Sequence, residues 1–417
     1  MKNDRSRLNR RKFLAASACA ISAPLFMPGR IFGFNGGVSP SNKINLFHIG
    51  LGNRGNELLG GFLGNPNYHV LGVCDCYKSH LDRAAERVNN HYKNDAAAKY
   101  AHYEDVLVRD DVDAIVCACP DHWHTKISVE ACQAGKDVYC EKPLTLTPQE
   151  SRIIVKAARK YNRVCTSGSQ RVMEDYGYMT PIIQSGAIGE VKEVFVGLGD
   201  PPRHCYLPEQ PIPEGFDWDR WQGQAPAAPY NSERCSGNYG GGWRRYGDYG
   251  TGFLADWGAH KFGGALYNMG MDLEEPVEIL PAGYEGSKYL CAVYKNGVKI
   301  YHAWNGPYDI TFIGTEGTYE HQKTKLNPLK PVDVRRYSGG ATNIADDFAF
   351  CVRNRLRPFQ DFEYGAKTAT LCQLMAIGHK LNRRLRWDSA NCQFIDDPEA
   401  NRHVKRIQRA PYVIPEV

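Results

Sequence analysis

The sequence lacks several features that define particular classes of protein, and each absence excludes such a class. No apolar run reaches the ~18–20 residues needed to cross a membrane, and no internal repeat or low-complexity tract is present. The charge excess is small, with 51 basic against 46 acidic side chains in 417 residues. Residues 1–30 hold seven of the basic side chains and one acidic one, so 44 basic and 45 acidic side chains remain. This balance gives no electrostatic case for nucleic acid or an anionic membrane as partner.

Cysteine pairing is also not indicated. Of 14 cysteines, Cys19 lies in the first thirty residues, which leaves an odd thirteen. Several of these fall in apolar runs, where small buried thiols are common: Cys74, Cys76, Cys117 and Cys119. Cys74 and Cys76 have no partner pair at the spacing of a zinc site. We therefore predict core thiols.

The N-terminus has the pattern of an export signal. Arg10-Arg11-Lys12-Phe13-Leu14 precedes a short apolar run, Ala15 to Phe26, rich in Ala and Ser. This pattern is typical of a twin-arginine signal, which carries folded proteins across the bacterial inner membrane. We expect residues 1–30 to be this signal and the mature chain to be periplasmic. The alternative is a surface helix that begins with clustered basic residues.

From Ile44 onward, short apolar runs alternate with amphipathic stretches, which predicts βαβ units and a doubly wound parallel sheet over residues 43–166. The predicted strands are Ile44–Ile49, Val70–Cys74, Ala114–Cys119, Val138–Cys140 and Val164–Thr166. The predicted helices are Glu57–Leu63, His80–His91, Thr125–Ala134 and Pro148–Tyr161. The fold class is therefore α/β.

A second α/β domain is predicted over residues 167–417. Residues 199–252 are rich in Pro and Gly, so we expect a long excursion with short helices. The strand candidates that follow, with Lys295-Asn296-Gly297 as a tight hairpin turn, predict an antiparallel sheet: Tyr289–Tyr294, Val298–Trp304 and Tyr308–Ile313. The C-terminal helices are candidates to pack back on the first domain.

A glycine-rich turn joins the first predicted strand to the first helix. It reads Gly50-Leu51-Gly52-Asn53-Arg54-Gly55, and Asp75 follows 20 residues after Gly55. This arrangement predicts a dinucleotide site, in which the helix N-terminus faces the pyrophosphate and the acidic residue accepts hydrogen bonds from the adenosine ribose. Cys76 and Tyr77 follow Asp75 without an arginine, so we favour NAD over NADP.

Three further clusters carry polar side chains at positions suited to catalysis. Lys142 in Glu141-Lys142-Pro143 follows a buried strand, where ligands of open α/β sheets bind; the alternative is a solvated Glu–Lys pair. Asp256 and His260 share one helix face, so the carboxylate could orient a general base; the alternative is a solvated polar face. Pro120-Asp121-His122-Trp123-His124 contains two histidines without a local third ligand, which favours contact with nicotinamide or substrate over a metal.

Together these motifs, with Gly314-Thr315-Glu316-Gly317, resemble the glucose–fructose oxidoreductase, inositol dehydrogenase and rhizopine-catabolism (Gfo/Idh/MocA) family. The resemblance runs from about residue 43 to the C-terminus. It implies an N-terminal Rossmann domain, a C-terminal α/β domain with an open, mainly antiparallel sheet, and homo-dimers or homo-tetramers formed through that sheet. The predicted cofactor-binding residues are Gly50, Leu51, Gly52, Asn53, Arg54, Gly55, Asp75, Cys119, Pro120, His122, Trp123, His124, Glu141, Lys142 and Gln170.

The resemblance also assigns Lys142, Asp256 and His260 as catalytic and substrate-binding residues. We expect hydride transfer at a secondary alcohol of a sugar, glycoside or cyclic polyol. His260 takes the hydroxyl proton, Asp256 orients the imidazole, and Lys142 stabilises charge on the same oxygen. Trp243 is predicted to stack on the sugar and Arg171 to hold its hydroxyls. Because free NAD is scarce outside the cytoplasm, the nicotinamide should stay bound through each cycle.

Two other functions stay open at this point. One is an NAD-dependent glycosidase that oxidises a ring hydroxyl, eliminates the aglycone, adds water and reduces the ring again. Family glycosidases of that kind generally lack the E-K-P lysine, so Lys142 favours the oxidoreductase. The other is a non-catalytic sugar-binding protein, against which the intact Lys142, Asp256 and His260 argue.

Overall fold

The computed structural model describes residues 42–417 except 238, 240, 305, 307 and 308. The predicted signal at residues 1–30 lies outside the described residues. Residues Ile44–Val417 form one compact unit. The strands are β1 (Ile44–Ile49), β2 (Tyr68–Cys74), β3 (Ala98–Tyr100), β4 (Ala114–Cys117), β5 (Asp137–Cys140), β6 (Cys165–Ser167), β7 (Val191–Val196), β8 (Glu278–Leu280), β9 (Leu290–Val293), β10 (Lys299–His302), β11 (Ile310–Gly314), β12 (Thr318–Glu320), β13 (Leu385–Asp388) and β14 (Gln393–Phe394).

Helices connect these strands and cover both sheets. They are α1 (Asn53–Gly64), α2 (Lys78–Tyr92), α3 (Glu104–Leu107), α4 (Asp121–Gln133), α5 (Pro148–Lys160), α6 (Arg171–Glu174), α7 (Thr180–Gln184), α8 (Trp218–Gln222), α9 (Ser232–Cys235), α10 (Gly252–Met269), α11 (Ile344–Asn354), α12 (Phe362–Leu381) and α13 (Pro398–Asn401). Within the described part of the chain, none of them is long and apolar enough to cross a membrane.

The first sheet is parallel, in the order β3-β2-β1-β4-β5-β6. Successive strands are added on one side of β1 up to β3 and on its other side from β4 onward, which is the doubly wound topology, so the predicted fold class is confirmed. Every residue of β4 and β5 is buried, as expected of strands covered by helices on both faces. The strand predicted over Ala114–Cys119 is shorter in the structure, since β4 ends at Cys117, where the chain leaves the sheet to enter α4.

The second sheet is mixed and mostly antiparallel, in the order β12-β11-β7-β10-β9-β8-β13-β14. Among the described strands of this second sheet, only β7 and β10 pair in parallel. Gly297 has a φ of +85° in the turn between β9 and β10, as the predicted hairpin requires. Helices α10 and α12 contribute to the large core beside this sheet. Phe348 of α11 and Phe362 of α12 instead join the cores of the first sheet.

The excursion between β7 and α10 folds into short helices around a cluster of buried aromatic rings. The cluster comprises Trp218, Trp221, Tyr230, Trp243, Tyr246 and Tyr249. The excursion is anchored to the chain just after β2, where Lys78 N donates to Gly215 O (2.8 Å) and Asp217 N donates to Cys76 O (3.0 Å). A proline- and glycine-rich segment thus gains a core of its own beside the end of the parallel sheet.

Candidate functional site

The glycine-rich turn has the close packing that its sequence predicts. Gly50 has a φ of +86°, and a Cβ there would lie 2.7 Å from Cys119 N. A Cβ on Gly55 would lie 1.9 Å from Gly50 O, so only glycine lets α1 sit this close to the turn. Gly52 has no atom within 4 Å of its ideal Cβ position and offers no side-chain cap to α1. The free N–H groups of the first turn of α1 therefore fit a phosphate.

A cleft opens at this turn and runs between the parallel sheet and the excursion. The predicted cofactor residues that line it are Gly50, Leu51, Gly52, Asn53, Arg54, Asp75, Cys119, Pro120 and Trp123. From the opposite side, the excursion contributes Phe216, Trp221, Tyr230, Trp243 and Arg244. Of these five, Trp243 was predicted as a substrate-binding residue, whereas the other four could not be assigned from local motifs because they are distant in sequence from the glycine-rich turn.

Asp75 lies at the end of β2 and supports the turn. Its Oδ2 accepts from Leu51 N (2.6 Å) and its Oδ1 from Tyr77 N (2.8 Å). Arg220 from the excursion also lines the cleft, with its guanidinium 2.9 Å from Glu104 Oε2. No arginine directly follows Asp75 in the sequence, but the folded cleft contains this additional cation.

His122 and His124 are buried, and neither is among the described residues that line the cleft. His122 Nε2 lies 3.0 Å from Trp221 O, and His124 has Nδ1 2.8 Å from Pro143 O and Nε2 2.9 Å from Cys119 O. Burial lowers the pKa of His122 to about 3. Both rings thus contact backbone carbonyls of neighbouring loops, and their contact with nicotinamide or substrate stays a prediction.

One buried group has the composition of a metal site. Ligand atoms of Cys117, His124 and Cys140 lie within 4.8 Å of one another. Both ring nitrogens of His124 already lie within hydrogen-bond distance of backbone carbonyls. A metal would have to displace one of these contacts, so the arrangement fits a role in packing better than coordination.

Lys142 and Asp256, which are far apart in the sequence, form an ion pair. Lys142 Nζ donates to Asp256 Oδ1 (2.8 Å) and to the backbone oxygen of the same residue (2.9 Å). Arg244 approaches the same carboxylate, with Nε 3.5 Å from Oδ1. All three side chains are largely buried, so their charges interact strongly.

His260 lies one helical turn beyond Asp256 and is buried. Burial, followed by the charges of Lys142 and Arg171, lowers the pKa of His260 well below its usual range. Its Nδ1 has no hydrogen-bond partner among the described residues. The expectation that Asp256 orients this imidazole is thus corrected: the carboxylate binds the amine of Lys142, because a charged partner gives the stronger hydrogen bond.

The remaining predicted residues lie around this centre in different roles. Glu141 Oε1 accepts a hydrogen bond from Arg54 Nε (2.9 Å) and so helps to fix the glycine-rich turn. Gln170 lines a separate cavity beside α1. Arg171 pairs with Asp175 and lies 5.3 Å from the centre of the Trp257 ring. The ring of Trp243 is covered by the guanidinium of Arg244 at 4.3 Å, which leaves less room for the predicted stacking on a sugar.

Two residues of the quoted motifs were missed as site residues. The Trp257 ring lies 6.0 Å from that of His260, and the residue is 41% exposed. Asp121 is buried at the start of α4, and its Oδ1 has no hydrogen-bond partner among the described residues. Burial raises the pKa of Asp121 to about 7, and the charge of Asp256 contributes to the increase.

The raised pKa of Asp121 predicts a pH-dependent stability. Since the folded protein holds this proton up to about pH 7 and the unfolded chain loses it near pH 4, stability falls as pH rises between these values. We expect Asp121→Asn to be more stable than wild type by roughly 2–4 kcal/mol at pH 8 and nearly equal at pH 4.5. Urea unfolding at both pH values measures this, and an equal difference at the two would contradict it.

The fold and the cleft define the class of the protein. Residues 44–169 match the description "Oxidoreductase family, NAD-binding Rossmann fold" and residues 202–414 match "Oxidoreductase family, C-terminal alpha/beta domain". The protein is an NAD(P)-binding oxidoreductase. The chain belongs to the Gfo/Idh/MocA family, as its motifs indicated.

Similar solved structures share the fold. An NAD-binding protein from Listeria innocua is 19% identical with a TM-score of 0.57, over 82% of this chain and 97% of that one. A myo-inositol 2-dehydrogenase from Lactobacillus plantarum is 17% identical with a TM-score of 0.56, over 83% and 100%. An aldose-aldose oxidoreductase from Caulobacter crescentus is 16% identical with a TM-score of 0.57, over 83% and 100%.

The sequence similarity of this chain to curated proteins covers a smaller part of its length. A glycosyl hydrolase family 109 protein from Shewanella baltica is 23% identical over 208 residues, which is 44% of this chain and 44% of that protein. A second protein of that description, from another strain, is 26% identical over 152 residues, 34% of this chain and 32% of its own length. The chain therefore matches less than half the length of these relatives.

Proposed function

We propose that the protein transfers hydride between a secondary alcohol of a sugar, glycoside or cyclic polyol and a bound NAD. The observation that carries the proposal is the buried group of Lys142, Asp256 and His260, whose side chains can act on a hydroxyl together. When bound, the nicotinamide supplies the hydride acceptor. NAD is preferred over NADP because Asp75 would repel a 2′-phosphate.

One side chain accepts the hydroxyl proton and another stabilises the charge that develops on the oxygen. Because its pKa is lowered, His260 is neutral near pH 7 and can accept the hydroxyl proton. Asp256 holds the amine of Lys142, which donates a hydrogen bond to the same oxygen as charge develops there. Trp257, beside His260 and partly exposed, is the aromatic surface best placed to contact a sugar ring.

Retention of the nicotinamide is part of the proposal. The excursion packs over the cleft where Tyr77 meets Phe216, with ring centres 4.9 Å apart. It also pairs with the chain next to Asp75 through Lys78 and Gly215. A dinucleotide enclosed in this way would leave slowly, as an exported enzyme requires. We further propose a periplasmic location and a homo-dimer or homo-tetramer formed through the open face of the second sheet.

The test is the absorbance at about 340 nm of freshly purified protein as sugars and polyols are added. We expect the denatured protein to release a nicotinamide, and a band at about 340 nm to grow with one substrate class. Protein that releases no nicotinamide, and that also reduces no added NAD with any sugar or polyol, would refute the proposal.

A glycosidase remains the second candidate because of the relatives described as glycosyl hydrolase family 109 proteins. In that reaction Lys142 and His260 would act on a ring hydroxyl that is oxidised and later reduced again. Incubation with a nitrophenyl glycoside separates the two functions. Release of the phenol with no net NADH indicates the glycosidase, whereas NADH without phenol indicates the oxidoreductase.

A further inference from the structure

The excursion contacts the turn that binds the dinucleotide at two points. Gly237 O accepts from Asn53 Nδ2 (3.2 Å), at the first residue of α1. Tyr239 donates from its hydroxyl to Glu57 Oε1 (2.8 Å), one turn further along the same helix. This part of the excursion is thus seated on the helix whose N-terminus would face the pyrophosphate.

Arg244 connects the same part of the excursion to the proposed catalytic residues through Asp256. Its guanidinium lies 4.3 Å from the Trp243 ring centre and 5.2 Å from that of Tyr239, and Nη1 is 3.4 Å from Gly237 O. Its Nε lies 3.5 Å from Asp256 Oδ1, the oxygen that also accepts from Lys142. Arg244 is 8% exposed, so it depends on this carboxylate for compensation of its buried charge.

We propose that Arg244 is a positioning residue that links dinucleotide binding to the orientation of Asp256 and Lys142. Packing of the excursion on α1 places the guanidinium against Asp256, and the carboxylate then lies between two cations, the guanidinium and the Lys142 amine. A ligand that stabilises the packing of the excursion on α1 also stabilises this orientation of Asp256 and Lys142. By thermodynamic linkage, this orientation must favour binding of the ligand to the same extent. The inference rests on the proposed function only for the role of the amine.

The linkage makes a prediction that needs no sugar substrate. Asp256→Asn should weaken NAD binding at least 5-fold, although Asp256 is not among the described residues lining the cleft. Arg244→Ala should weaken it at least as much, and the double variant should be no weaker than Arg244→Ala alone. Arg244→Lys, which keeps the charge, should recover part of the affinity. Calorimetric titration of NAD into each full-length variant, after removal of any retained nicotinamide, measures these values.

Hydroxyl removal at two tyrosines of the excursion provides a matched pair. Tyr239→Phe loses the hydrogen bond to Glu57 and should speed NAD dissociation, with a smaller effect on affinity than Arg244→Ala. Tyr206→Phe is the control, because Tyr206 is 88% exposed. Unchanged NAD affinity in Asp256→Asn, or effects of Arg244→Ala and Asp256→Asn that multiply, would overturn the linkage. If the NAD affinities of the variants change as expected but the wild-type protein transfers no hydride with any sugar or polyol, the linkage stands and the proposed function is refuted.

Discussion

Lys142→Met loses turnover by at least about 10³-fold while NAD stays bound, because the substitution removes the amine that is bound to Asp256. Methionine keeps the length and apolar stem of lysine, so the loop after β5 should keep its shape. Asp256 would remain paired with Arg244, which limits the cost to folding. The measurement is the steady-state rate with the best substrate, together with a titration of NAD.

A lysine outside the site provides the control for this substitution. Lys295 is exposed in the hairpin turn between β9 and β10, so Lys295→Met makes the same chemical change away from the cleft. We expect wild-type turnover for this control. Lys142→Met with turnover within 10-fold of wild type would contradict the proposed role of the amine.

Gly55→Ala is expected to abolish NAD binding, with at least a 100-fold loss of affinity. The added Cβ would lie 1.9 Å from Gly50 O, so the turn and α1 must move apart and the phosphate-facing N–H groups move with them. The overpacking should also cost about 1–3 kcal/mol of stability. Calorimetric titration and urea unfolding measure the two effects.

The same helix offers the matched control. Gly61 also lies in α1, but its ideal Cβ position has no atom within 4 Å. Gly61→Ala should therefore keep NAD affinity and stabilise the protein by up to about 1 kcal/mol, since alanine favours the helix. Equal NAD affinity in Gly55→Ala and Gly61→Ala would show that the turn does not bind the dinucleotide.

The parallel sheet was largely predictable because its signals are local. Buried strands such as β4 appear as short apolar runs, and the motif from Gly50 to Gly55 follows the first of them directly. Strand β3 was missed since it has only three residues, none of them fully buried. The long excursion was expected to contain short helices, as it does, but its aromatic core was not apparent from its Pro and Gly content.

The candidate site was only partly predictable, because its contacts join distant parts of the chain. Motifs identified Lys142, Asp256 and His260, yet their pairing depends on distances that no local pattern contains. The predicted partner of Asp256 was four residues away on the same helix, whereas the observed one lies 114 residues away. Arg244 contacts Asp256 and Arg220 lines the cleft, both from the excursion. These contacts depend on the fold and could not be predicted from a local sequence pattern.

A crystal structure of the protein with bound NAD and a substrate that reduces it tests the proposed site most directly. We expect the pyrophosphate at the N-terminus of α1 and the nicotinamide beside Lys142 and His260. The substrate carbon should approach the ring at about 3–3.5 Å, with its hydroxyl shared by the amine and the imidazole. A dinucleotide bound elsewhere, or a nicotinamide separated from both groups by the excursion, would contradict it.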